Sequence, residues 1–214
     1  MFENLFSVDG PYARIMNWIW NVFVLSILWL VCCIPIVTIG ASSTAAYYAA
    51  SKVIRHQTGR IHQEFLSSFR RNFRQSAPLT IVFLLLFFVI AIECIYFYSD
   101  PRVPIGVLYL FYAMLLAVCG CGIYLWACLS RFDRSSFSLF RMSVVLTFRH
   151  FLTTVLLLVL SVLTILGIYL MPWGILVFPG CMYVLSTYPM ERILLKYSPK
   201  VSEDDPAGQK WYYQ

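Results

Sequence analysis

The chain has 214 residues, of which 60% are hydrophobic and only 12% charged, and its formal net charge is +6. A soluble domain carries roughly 25% charged residues, so the composition excludes an ordinary water-soluble enzyme and leaves no stretch for a separate catalytic domain. The positive charge does not point to nucleic acid, because Lys and Arg lie between long apolar runs, where lipid phosphates and membrane orientation account for them.

The first run, residues 15–34, has the length needed to cross a hydrocarbon core of about 30 Å. Glu3, Asp9 and a single Arg14 precede it, and it is longer than a signal-peptide core, so no cleaved signal is expected. It ends in "IPIVTIG", where Pro35 resists helix continuation and Gly40 permits a tight reversal. A second span is expected over 38–55. Its hydropathy is weak, but Ala41, Ala45 and Ala49 recur every four residues, as do Ser42, Ala46 and Ala50. Two adjoining faces of small side chains let neighbouring helices approach closely, so the segment reads as buried in a bundle, with Tyr47 and Tyr48 on its remaining side.

In the connection over 60–75, Ile61, Phe65, Phe69 and Phe73 repeat every four residues, beside Arg70, Arg71 and Arg74. That pattern predicts an amphipathic helix lying in the membrane interface. Spans follow at 78–98 and 105–128, separated by "SDPRVP", and the second has a small-residue seam at Ala113, Ala117 and Cys121. The connection over 135–149 repeats the amphipathic device, with Phe137, Phe140, Val144 and Phe148 as the stripe and Arg134, Arg141 and Arg149 as cations. The last spans, 151–170 and 173–195, meet at "MPW". Residues 1–197 form one transmembrane domain, and 198–214 read as a flexible cytoplasmic tail.

The expected fold is all-α: a polytopic transmembrane helical bundle of six spans, arranged as three hairpins joined by two basic interfacial helices. Pro35, Pro104 and Pro172 mark the three turns at near-equal spacing, which suggests an internal repeat. Arg102 alone of the sixteen Lys and Arg residues falls on the turn side, which places the C-terminus and both connections in the cytoplasm. Charge barely separates six spans from five, the alternative in which 38–55 does not cross.

Glu93 is a carboxylate inside the third span. An ionisable residue there is a functional candidate because charge in hydrocarbon is costly; alternatively it reaches the outer headgroups or pairs with Arg102. Thr38, Gly40, Ser42 and Ser43 surround a helix N-terminus that either holds an anionic group or is simply capped. Arg70, Arg71, Arg74, Arg141 and Arg149 form a docking surface for a partner or anionic headgroups, or serve only as anchors. His56, His62 and His150 are dispersed and read as interface residues. The seven cysteines read as small buried hydrophobes. No cofactor, metal site or enzymatic constellation is expected.

The segment "LWLVCCIPIVTIGASSTAAYYAASKVIR", followed at Phe65 by "FLSSFRRNFRQS", resembles the YesL family of bacterial membrane proteins, whose function is unknown. Pro35, Thr38 and Gly40 in the turn, the alanine-rich helix, and Phe65, Phe69, Asn72 and Phe73 carry the resemblance, which covers about residues 15–76. It implies a bacterial plasma-membrane location and an accessory role in carbohydrate uptake, with an ABC-type sugar permease as partner. It carries over no catalytic or binding residues. The competing reading is a small-solute transporter or channel, built as a homo-oligomer, with its path near Glu93 and the Pro35–Gly40 turn.

Overall fold

The computed structural model describes residues 11–99, 104–132 and 134–197, with side chains from Ile15 onward. Arg102 and the tail at 198–214 lie outside the described residues. All described elements are helical: α1 (Pro11–Cys33), α2 (Ile39–Ala49, continued by a π-helical turn, Ala50–Arg55), α3 (Ile61–Ser99), α4 (Ile105–Arg131), α5 (Ser136–Arg149), α6 (Phe151–Leu170) and α7 (Phe178–Tyr197). Among the described residues, four helical stretches are long and apolar enough to cross a membrane: Ile15–Cys33, Ile61–Ser99, Ile105–Arg131 and Phe151–Leu170. They mark a multi-pass membrane protein.

Three antiparallel pairs organise the bundle. In α1–α2, Ser42 Oγ donates to the Trp29 carbonyl at 3.0 Å and Trp29 Nε1 donates to Ser43 Oγ at 3.4 Å, closing the hairpin behind the Pro35 turn. In α3–α4, Phe83 packs edge-on to Trp126 and Phe97 lies 4.9 Å from Phe111 between ring centroids. In α6–α7, Gly167 lies against Phe178 and His150 against Tyr197. The helix expected over 173–195 starts later, because Pro172–Leu176 form a 3-10 turn and α7 begins at Phe178.

The first basic connection is not a separate in-plane helix. Residues 61–99 form one helix of about 58 Å at 1.5 Å per residue, with Pro78 inside it. Pro78 withholds an N–H from the Arg74 carbonyl, yet Ser76 and Thr80 on either side both stay buried, so one face continues through the proline. The four-residue stripe fails for a geometric reason: a 100° turn per residue carries each fourth position about 40° round the helix. Ile61 and Phe65 are buried, but Phe73 is 40% exposed. The face that packs is Ile61, Phe65, Ser68, Asn72, Ser76 and Thr80. In α5 the buried face is Leu139, Ser143, Leu146 and Thr147, packed beside α4, while Phe137 and Phe148 point outward.

α2 lies antiparallel to the basic half of α3. Gly40 faces Thr80, Tyr48 faces Arg71, and Lys52 pairs with Glu64 at 2.8 Å. Both expected small-residue faces of α2 are buried, as is Tyr47. A Cβ at Gly40 would meet the Thr80 hydroxyl and come within 2.5 Å of the Trp126 ring. α3 therefore runs on past the start of α2 by about 28 Å, and its outer half presents Leu85, Phe88, Ile92 and Ile95 outward.

α1 and α7 also meet closely, with backbone at the contact. Ser26 Oγ donates to the Val22 carbonyl at 3.1 Å and accepts from the Gly180 N–H at 2.8 Å, and a Cβ on Gly180 would fall 2.5 Å from the Val22 carbonyl oxygen. Backbone cannot yield as a side-chain tip can. Gly180→Ala is expected to cost about 1–3 kcal/mol by overpacking, while Gly106→Ala, with open space at its Cβ, is neutral or slightly stabilising. Unfolding of both variants in detergent micelles measures the difference, and equal stabilities would refute the close contact.

Candidate functional site

A carboxylate that sequence reasoning passed over forms the polar centre of the bundle. Glu191 on α7 is 1% exposed. Arg131 Nη2, at the end of α4, donates to its Oε1 at 2.5 Å. Ser51 donates to the same oxygen. On the other side, Arg55 Nη1 lies 3.6 Å from Oε2 and His56 Nε2 lies 3.4 Å from it. Arg55 also donates to the Thr187 carbonyl at 2.9 Å, one turn before Glu191. Each of the three antiparallel pairs thus contributes: α1–α2 supplies Ser51, Arg55 and His56, α3–α4 supplies Arg131, and α6–α7 supplies Glu191.

Local backbone makes this convergence possible. The π-helical turn at Ala50–Arg55 closes with the His56 N–H on the Ser51 carbonyl at 3.2 Å. The wider turn shifts the phase of the helix just where Arg55 and His56 must turn inward, a frequent use of single π-turns at special sites. Gln57 and Gly59 then take positive φ, 53° and 87°, and release the chain into α3. On α4, Gly120, Cys121 and Gly122 keep the helix close to its neighbours, where a Cβ on Gly122 would meet Phe83. Arg131 is 8% exposed at the end of this buried stretch.

Chemically, both oxygens of Glu191 are occupied, one by a serine and an arginine and the other by an arginine and a histidine. An ionised carboxylate in an apolar interior loses several kcal/mol of hydration, which only close, hydrogen-bonded partners recover. Tyr47 extends the site: its hydroxyl is buried without a hydrogen-bond partner and lies within the field of Glu191 and Arg131.

The residues singled out from sequence lie elsewhere. Glu93 is half-buried in the outer half of α3, between the exposed Ile92 and Ile95. In the first turn, Thr38 Oγ1 does not cap α2; it is shared between the Cys32 and Pro35 carbonyls at 2.5 Å each. Gly40 is filled against Thr80 and Trp126, and Ser42 and Ser43 are bonded to Trp29. The turn hydroxyls are thus consumed in closing the hairpin. Arg70, Arg71, Arg74, Arg141 and Arg149 are all exposed, with Arg71 over the Tyr48 ring and Arg149 over the Tyr197 ring. The signal for the true cluster was present, since Glu191 lies inside the expected span 173–195, where an ionisable residue calls for a partner.

Removing one member of a fully buried ion pair costs about 3–5 kcal/mol, whereas replacing both with apolar groups is often tolerated. Arg131→Met is therefore expected to destabilise the bundle by an amount of that order. The double variant Glu191→Leu, Arg131→Met should be the more stable of the two. A double-mutant cycle by denaturant unfolding in micelles measures the coupling, and simple additivity would show that the two groups do not act as a pair.

Residues 15–94 match the family described as "Protein of unknown function, DUF624". No curated protein matches the chain, and no solved structure does either. The match takes in α1, α2 and most of α3, so the half of the Glu191 cluster contributed by Ser51, Arg55 and His56 lies inside this family region and the half contributed by Arg131 and Glu191 lies beyond it.

Proposed function

We propose that this protein is an accessory partner of a membrane transporter, without a catalytic step of its own, and that it docks through the basic face of α3 and α5. The observation that carries this reading is the presentation of Arg70, Arg71, Arg74, Arg141 and Arg149, all exposed, while the inner arginines are spent on Glu191. Gln75 Nε2 donates to the Arg134 carbonyl at 2.6 Å, which brings the two basic stretches together and supports one continuous cationic surface. Leu66 and Phe73 stand exposed among these cations, and such mixed basic and apolar surface suits a protein partner set against lipid phosphates. The resemblance to the YesL family supports a carbohydrate-uptake system of the bacterial plasma membrane as the setting, with an ABC-type permease as partner.

The geometry also supports the topology. Asn17 and Asn21 on α1 line one cleft with Gln57 and Gly59, so α1 begins on the side where the first basic connection lies. α7 ends beside His150, with Tyr197 Oη 3.4 Å from its Nε2. We read these placements as an even number of passes, with both described ends cytoplasmic. It holds whether α1–α2 crosses fully, as one of three spanning hairpins, or dips into the bilayer from the cytoplasmic side. The register of α2 against Arg70, Arg71 and Arg74 favours the dip, with Ile34, Ile36 and Val37 exposed at the tip.

Triple charge reversal, Arg70→Glu with Arg71→Glu and Arg74→Glu, is expected to abolish co-purification of a transporter subunit from native membranes while leaving insertion intact. Retention of that subunit at the wild-type ratio would remove the basic face from the account.

A further inference from the structure

The bundle encloses a cavity of about 530 Å³, within the range of roughly 300–1,000 Å³ typical of small-molecule sites. α2, α3, α4, α6 and α7 all contribute to its wall, with Tyr47, Phe87, Trp126, Tyr183 and Met190 among the larger side chains. Along α2 it extends from Ile39 to Tyr47, about 12 Å. Its mouth is defined by Leu116, Val162 and Ile165, which line the cavity and are also exposed. These residues belong to α4 and α6, two of the helices apolar enough to cross a membrane. The opening therefore faces hydrocarbon.

The wall is selective by what it lacks. Ser161 Oγ donates to the Leu157 carbonyl at 2.9 Å and Ser186 Oγ to the Tyr183 carbonyl at 2.7 Å, so these hydroxyls are satisfied within their own helices. Ser43 is engaged by Trp29. Tyr47, 4% exposed at the inner wall, has a hydroxyl without a partner. A sugar, with a hydroxyl on nearly every carbon, would leave most of its polar groups unpaired here, at a cost no apolar contact offsets. A hydrocarbon chain, which brings no polar group to be left unpaired, matches the wall.

We infer that this cavity is a lateral binding site for one acyl chain of a membrane lipid, entering between α4 and α6. The inference rests on the membrane-embedded reading but not on the docking surface. Tyr47 adjoins the Glu191 cluster, so the occupant also supports the wall on which that cluster rests.

The test uses the full chain in liposomes of phosphatidylglycerol carrying a diazirine in one acyl chain, with photolabelled residues mapped by mass spectrometry. Ser186 and Met190 are buried, so lipid confined to the surface cannot reach them. Labelling of both is expected, together with labelling of the exposed Leu85, Phe88 and Ile92 on α3. Filling the cavity by Ser161→Phe, or separately by Cys119→Phe, should reduce labelling of Ser186 and Met190 at least fivefold and leave Leu85, Phe88 and Ile92 unchanged. Labelling restricted to exposed residues, or insensitivity to both filling variants, would each overturn the site. Absence of labelling even at Leu85, Phe88 and Ile92 would instead overturn the membrane reading beneath it.

Discussion

Glu191 organises this bundle because it has nowhere to release its charge. At 1% exposure it must be met by donors on both oxygens, and those donors come from both of the other antiparallel pairs. In a membrane, apolar helices gain little from leaving lipid for one another, so packing and polar contacts decide how they assemble. A single carboxylate that is satisfied only when Ser51, Arg55, His56 and Arg131 arrive together selects one arrangement out of many that the apolar surfaces would accept. The cluster contributes specificity more than net stability, since a buried ion pair recovers little beyond its own desolvation.

The second constraint is distance. Arg131 and Glu191 can reach α2 only because α2 has almost no side-chain bulk on the faces that meet α1, α3, α4 and α7. Gly40 against Thr80 and Trp126, and Gly180 against the Val22 carbonyl, are the places where this closeness is greatest. Small faces bring the helices together, and the polar cluster sets their register. The two large side chains on α2 then have separate tasks: Tyr48 lies under Arg71 and Lys52, and Tyr47 separates the cluster from the apolar cavity.

The bundle divides into a packed part and an open part. α2 and the last third of α4 are largely buried, and the basic half of α3 and the second half of α7 each bury one face, whereas the outer half of α3, the first half of α4 and most of α6 present apolar residues outward. Surface of that kind is stable only in contact with hydrocarbon. The cavity lies where the two parts meet, because helices that pack closely at one end diverge towards the other.

By itself the amino-acid sequence determined the class of the molecule: long apolar runs between basic connections dictate membrane helices, and proline-containing turns with small-residue faces dictate antiparallel pairs and a buried α2. Those features are local, written in composition and in spacings of a few residues. The burial of Phe65 but exposure of Phe73 was not legible, because a four-residue repeat drifts round the helix and only a neighbour decides where the contact lies. Nor was the continuity of α3 through Pro78, where burial of Ser76 and Thr80 on one face outweighs one lost hydrogen bond. The tertiary structure alone decided the polar centre, since Ser51, Arg131 and Glu191 are far apart in the chain and nothing local distinguishes Glu191 from Glu93. One carboxylate is held because four donors from different hairpins meet it, and the other is left at the apolar surface; that difference is a property of packing.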